Sequence, residues 1–68
     1  MKVKEVIKPI PYVDVLFEDI DQRTFKDLNY FKRYDDGSWS YYYWEEFHCN
    51  KKQTKLLEEA YQEYLHKG

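Results

Sequence analysis

The sequence contains little of what usually stabilises a very small protein. Cys49 is the single cysteine among 68 residues, which excludes a disulfide within the chain. A lone cysteine, with no apolar signal region near the first residue, predicts a reducing compartment, and we interpret the chain as cytoplasmic. His48 and Cys49 are adjacent in the sequence and point to opposite faces of a strand, so they are poorly spaced to share an ion. We therefore expect neither a metal nor a cofactor.

The chain also lacks the sequence features of membrane proteins and enzymes. No apolar run approaches the roughly 20 residues that cross a bilayer, which predicts no membrane partner. Of the two glycines only Gly37 is internal, so no glycine-rich loop can cradle a phosphate. The side chains of His48 and Cys49 would diverge, which leaves no nucleophile held by a base. The sequence therefore predicts no catalytic residues and a protein that is not an enzyme.

Aromatic residues are present in excess. Eight Tyr, four Phe and two Trp make up 21% of the chain, and its length predicts a single domain over residues 1–68. A domain of this size buries only about 60% of its unfolded surface, so large side chains must supply much of the core. Tyr and Trp are also enriched at binding hot spots. The aromatic surplus therefore predicts a binding surface in addition to a core.

The periodicity of apolar residues predicts an α+β fold. Alternation predicts a strand over residues 12–17, and residues 3–7 form a strand candidate that Pro9 and Pro11 separate from it. Asp21 is a suitable N-cap for a short helix over residues 22–28. Residues 51–66 have the i, i+3, i+4 spacing of an amphipathic helix, with Asn50 and Gln53 as a capping box. We expect this helix to pack on one face of a three-stranded antiparallel sheet.

The centre of that sheet is predicted to be a hairpin of residues 30–34 and 39–44. Asp36-Gly37 is typical of a two-residue turn, which would place Tyr34 opposite Trp39. Directly opposed residues share a face, so one face would carry Tyr30, Lys32, Tyr34, Trp39, Tyr41 and Tyr43, and the other Phe31, Arg33, Ser40, Tyr42 and Trp44. The second face is less charged, so we expect it to meet the long helix.

The first face would then remain exposed, and we interpret it as a protein-binding surface. Monomeric proteins rarely expose large apolar patches without a function. The predicted contact residues are Tyr34, Trp39, Tyr41 and Tyr43, with Asp35, Asp36 and Glu45 at the rim. The competing interpretation is that these aromatic residues are simply the core of a chain with few aliphatic residues.

The function predicted from these features is a non-enzymatic regulator or inhibitor that masks a functional surface of a larger protein. Nine lysines against two arginines, with a single alanine, indicate an AT-rich gene, such as that of a phage or mobile element acting in a host cytoplasm. One alternative is a nucleic-acid-binding protein that uses Lys32, Arg33, Lys51, Lys52 and Lys55. A second alternative is a structural homodimer whose two-fold interface is the aromatic face.

Overall fold

The computed structural model describes residues 1–9 and 11–67 and has an α+β architecture. Within these residues the strands are β1 (Lys2–Ile7), β2 (Tyr12–Glu18), β3 (Tyr30–Tyr34), β4 (Trp39–Tyr42) and β5 (Glu46–His48). Helix α1 (Gln22–Phe25) lies between β2 and β3, and helix α2 (Lys51–Lys67) follows β5. The predicted class, a small antiparallel sheet with a C-terminal helix, is confirmed.

The sheet has five strands in the order β1-β2-β3-β4-β5, so the prediction of three strands is wrong. Strand β1 belongs to the sheet because Val3 lies opposite Phe17 and Val6 opposite Val15, which adds two apolar side chains to the helix-facing side. Strand β5 forms because Phe47 lies opposite Tyr41 and stacks on it, with ring centroids 5.5 Å apart. Apolar contacts between paired strands therefore extend the sheet at both edges.

The core lies between one face of the sheet and the two helices. Its buried hydrophobic residues are Val15, Phe17, Phe25, Phe31, Trp39, Leu57, Ala60 and Tyr61. Trp39 is at the centre, with its ring centroid 5.7 Å from that of Phe17 and 5.8 Å from that of Tyr61. Rings at these distances and tilted angles stabilise each other beyond the area that they bury. Much of the aromatic surplus therefore forms the core.

Helix α1 is shorter than predicted, and helix α2 is one residue longer. The Asp21 carboxylate caps α1 as expected, accepting a hydrogen bond from the backbone N–H of Arg23 at 3.0 Å. The helix ends at Phe25, not at residue 28, because Lys26 has a positive φ of 55°. Helix α2 begins with the predicted capping box, in which Asn50 and Gln53 each accept a hydrogen bond from the other's backbone N–H.

The turn between β3 and β4 differs from the prediction by one residue. The backbone N–H of Tyr34 donates to the carbonyl of Ser38 at 3.0 Å, so Ser38, not Trp39, is the residue opposite Tyr34. The next pairs are Arg33 with Trp39 and Lys32 with Ser40. A one-residue change of register moves every side chain of a strand to the other face. Trp39 therefore faces α2 together with Phe31, whereas the prediction had placed them on opposite faces.

Gly37 makes this three-residue turn possible, since its φ is 86°. A Cβ at this position would meet only the Arg33 side chain, at an ordinary 3.9 Å, so the requirement is one of backbone conformation and not of space. We expect Gly37→Ala to lower the free energy of unfolding by about 1 kcal/mol, because alanine tolerates a left-handed conformation poorly. Urea denaturation measures the change. Gly37→Asn is the control and should cost clearly less; equal losses would contradict this explanation.

No helix within the described part of the chain is both long and apolar enough to cross a membrane.

Candidate protein-binding surface

The most exposed large aromatic side chains lie where β4 ends. Tyr42, Tyr43 and Trp44 are consecutive and are 62%, 67% and 70% exposed, and we call these three residues the aromatic end. Strand β4 stops at Tyr42, not at residue 44 as predicted, because the chain bends over residues 43–45. Within this bend the backbone N–H of Tyr43 donates to the carbonyl of Glu45 at 3.1 Å. The last residue of β4 and the first two residues of the bend therefore expose three aromatic side chains in succession.

Ring contacts join the aromatic end to the sheet. The Tyr43 and Trp44 rings lie 5.0 Å apart at 64°, and the Trp44 and Phe47 rings lie 5.1 Å apart at 81°. Phe47 in turn stacks on the half-buried Tyr41. Because each ring rests on the next, the exposed rings have part of their conformational freedom removed before any partner binds.

These rings form one wall of a cleft of about 260 Å³, which we call the aromatic cleft. The segment that follows α1 forms the other wall. The lining residues are Lys26, Asp27, Leu28, Tyr41, Tyr43, Trp44 and Phe47. The lining is therefore mostly aromatic and aliphatic, and it includes one basic and one acidic residue, Lys26 and Asp27.

The helix-free face of the sheet holds a second aromatic group. The Lys32 ammonium lies 4.6 Å from the ring centroid of Tyr12 and 5.4 Å from that of Tyr42. Such distances allow cation–π attraction to both rings. The Tyr34 hydroxyl donates to Glu46 at 2.6 Å, and the buried Ser40 hydroxyl donates to the same carboxylate at 2.9 Å. These hydrogen bonds lower the pKa of Glu46 and raise that of Tyr34.

The structure separates the residues predicted for the protein-binding surface. Trp39 is 1% exposed and Tyr41 is half-buried on the helix-facing side, so the predicted exposure of Trp39 is wrong and that of Tyr41 is much reduced. Asp35 and Asp36 lie in the turn that precedes β4. Tyr43 and Glu45 lie in the bend that follows it. Strand β4 therefore divides the predicted site into two groups, and only the second adjoins the aromatic end.

The turn group has a structural role of its own. The Asp36 carboxylate accepts hydrogen bonds from the backbone N–H and the hydroxyl of Ser38, at 2.9 and 2.6 Å. These bonds lower the pKa of Asp36. Asp36 therefore stabilises the turn, whereas Asp35 is exposed and forms no side-chain hydrogen bond with the described residues.

The residues of the predicted nucleic-acid site are also divided. Lys32 lies on the helix-free face between two tyrosine rings. Arg33 lies on the opposite face, where its guanidinium donates to both oxygens of Glu58, at 2.7 and 3.0 Å. The remaining members, Lys51, Lys52 and Lys55, are exposed in the first turns of α2. Lys32 therefore lies on the face away from α2, and Arg33 faces α2 but is engaged by Glu58.

Cys49 is half-buried beside the core. Burial raises the pKa of its thiol to about 12, so the thiol stays protonated at neutral pH. A protonated thiol is a weak nucleophile and a poor metal ligand. Among residues 1–9 and 11–67, no group of three His, Cys, Asp or Glu side chains is arranged to hold a metal ion.

The exposure of two residues of the aromatic end was not predicted, since Tyr42 and Trp44 were expected to meet the helix. The error at Tyr42 follows from the register of the turn, and the error at Trp44 follows from the end of β4 at Tyr42. Asp35-Asp36-Gly37 also fits a three-residue turn with glycine in the third, left-handed position. Had this turn been preferred, Trp39 and Tyr41 would have been placed on the face of Phe31, and Tyr42 on the opposite face.

Comparison of the chain with protein-family models, curated proteins and solved structures finds no significant match.

Proposed function

We propose that this protein is a non-enzymatic regulator or inhibitor that binds a larger protein through its aromatic end and masks a functional surface there. The observation that carries the proposal is the exposure of three consecutive aromatic side chains, Tyr42, Tyr43 and Trp44. The same chain buries its other tryptophan, Trp39, almost completely, so its core can accommodate large aromatic side chains. Exposed aromatic groups of this kind mark binding surfaces more often than they serve stability.

The chemistry of the aromatic end favours a protein as the partner. Tyr and Trp provide large contact areas at a low cost in side-chain entropy, and they dominate interface hot spots. The rings of Tyr43 and Trp44 are already in contact, which lowers the cost of ordering them on binding. Glu45 and Glu46 follow directly and are exposed, so the rim beside the rings is acidic. A partner with an apolar pocket bordered by basic residues would complement this surface.

Binding to nucleic acid is the less favoured alternative. Arg33 is held by Glu58, and Lys32 lies between tyrosine rings, so neither is free to meet a phosphate without losing these contacts. Self-association through the aromatic end remains the second alternative, since an exposed aromatic cluster can pair with its own copy. The proposed origin in a phage or mobile element would make the partner a host protein.

Substitution of the aromatic end should abolish capture of the partner. We expect Trp44→Ala and Tyr43→Ala each to weaken binding at least about tenfold, as hot-spot aromatic residues do. The measurement is a pull-down from nuclease-treated lysate at low and high salt, followed by titration of the captured protein. Tyr64→Ala is the matched control, because Tyr64 is an exposed tyrosine on α2, outside the aromatic end.

The outcomes separate the three functions. A protein that is retained at high salt, and lost only with the aromatic-end variants, supports the proposed function. Recovery that disappears with nuclease or moderate salt indicates nucleic acid and contradicts it. A concentration-dependent dimer that Trp44→Ala dissociates, with no other protein captured, would establish the homodimer instead.

A further inference from the structure

We propose that the aromatic cleft binds an arginine side chain of the partner protein. This inference rests on the proposed function and names the chemistry by which the partner is recognised. The cleft volume of about 260 Å³ suits one large side chain and not a folded segment. The guanidinium would lie against the rings of the cleft and pair with the carboxylate on its wall.

The rings of the cleft are steeply inclined to one another. Trp44 lies at 64° to Tyr43 and at 81° to Phe47. An aromatic face carries partial negative charge, so a cation that enters the cleft is attracted by the ring quadrupoles.

Elsewhere in the molecule, three tyrosine rings are in contact with the chain's own cations. Lys32 lies over Tyr12 and Tyr42, and the Arg33 guanidinium lies 5.2 Å from the ring centroid of Tyr61. Among the described residues, no lysine or arginine lies over a ring of the cleft in this way. A cation from outside would therefore displace none of the chain's own cations from the rings of the cleft.

Charges around the cleft also favour a cation. Asp27 lines it, and Glu45 belongs to the bend that carries Tyr43 and Trp44. Neither carboxylate forms an ion pair within the described residues. Lys26 also lines the cleft and opposes this charge, so the lining holds one acidic and one basic residue, and Glu45 in the adjoining bend adds a second acidic residue. Because the positive charge of Lys26 opposes binding of a cation, substitution of Lys26 provides a test of the proposal.

Arginine fits these observations better than lysine or an apolar residue. Its planar guanidinium stacks on aromatic rings and pairs with a carboxylate through two parallel hydrogen bonds. It is less strongly hydrated than an ammonium, so entry into an apolar cleft costs less. An apolar side chain would use the rings but leave the carboxylate of Asp27 without a partner.

The test is an NMR titration of the whole protein with blocked single amino acids. The probes are N-acetyl-arginine amide, its neutral analogue N-acetyl-citrulline amide, N-acetyl-leucine amide and tetramethylammonium. The two indole N–H signals are the readout, since Trp44 is exposed at the cleft whereas Trp39 is buried and serves as the internal reference. We expect the arginine probe to shift the Trp44 signal saturably, with a dissociation constant on the order of millimolar. The citrulline probe should bind at least about threefold more weakly.

Variants at the rim provide the second part of the test. Asp27→Asn should weaken binding of the arginine probe about threefold, and Lys26→Gln should strengthen it by a similar factor. Asp35→Asn is the matched control, because it removes the same charge in the turn before β4 and should change nothing. Equal shifts by the citrulline or leucine probe, tighter binding of tetramethylammonium, or no saturable shift would each overturn the assignment to arginine. Because no partner is present, this failure is distinct from failure of the pull-down.

Discussion

Replacement of Trp39 by alanine should unfold the protein. Trp39 is 1% exposed, its ring contacts Phe17 and Tyr61, and its indole N–H donates to Glu58 at 2.9 Å. Removing a buried aromatic side chain costs about 3–5 kcal/mol, which approaches the whole stability of many small domains. We expect the cooperative thermal transition, followed by circular dichroism, to be lost or shifted far below that of the unaltered protein.

Trp44→Ala is the matched control for this experiment. It removes the same side chain two residues beyond the end of β4, where the ring is mostly exposed. We expect a change in the free energy of unfolding within about 0.5 kcal/mol, as for most surface substitutions. Comparison of the two variants also distinguishes the observed register of the turn, with Tyr34 opposite Ser38, from the predicted register, with Tyr34 opposite Trp39. If Trp44→Ala were the more damaging substitution, the face assigned to β4 would be wrong.

Neutralising Glu58 should cause the second-largest loss of stability. Its carboxylate accepts hydrogen bonds from Arg33, from the indole of Trp39 and from Gln62 at 2.7 Å. Both members of the ion pair are mostly buried, with 21% of the Arg33 side chain and 29% of that of Glu58 exposed. We expect Glu58→Gln to lower the free energy of unfolding by about 2 kcal/mol at neutral pH, the scale of charge-assisted hydrogen bonds.

The same contacts predict how this loss depends on pH. Hydrogen bonds from Arg33, Trp39 and Gln62 lower the pKa of Glu58 from an ordinary 4.5 to about 2. Between these values the unfolded chain binds more protons than the folded protein, so stability falls as the pH falls. The contribution of Glu58 is complete above pH 4.5 and is lost as the pH approaches 2.

Urea denaturation of the wild-type protein and Glu58→Gln across this range provides the measurement. The difference between the two should be largest at neutral pH and should shrink steadily below pH 4.5. Exposed Glu63, which pairs with Lys67 at 3.1 Å on the surface of α2, supplies the control. Glu63→Gln should change stability by less than about 0.5 kcal/mol at any pH. A pH-independent difference for Glu58→Gln would show that packing, and not charge, explains its role.

Features that depend on neighbours in the sequence were predictable. The apolar face of α2 and its capping box involve residues three or four apart in the sequence, and both are present in the structure. The Asp21 cap of α1 is equally local. Strand β5 was missed because three residues are too few to show alternation, and its formation depends on contact between Phe47 and Tyr41.

Predictions of which face a residue occupies were less successful, because they depended on one turn. Asp36-Gly37 fits both a two-residue and a three-residue connection, and the two differ by one position in register. The buried position of Trp39 and the exposure of Tyr42 follow from the longer turn, whereas the exposure of Trp44 follows from the bend that ends β4. The expectation of an exposed aromatic cluster beside acidic residues agrees with the structure at Tyr43 and Glu45, whereas the identity of its other members differs.

The order of the strands has a consequence for how the chain reaches this fold. Strands that follow one another in the chain are neighbours in the sheet, so each pairing closes only the segment between them, such as residues 19–29 between β2 and β3. Topologies built from such local contacts fold rapidly. Helix α2 comes after all five strands and packs back against β1, which joins distant parts of the chain. During synthesis, the part of the sheet that α2 covers therefore stays uncovered until α2 has left the ribosome.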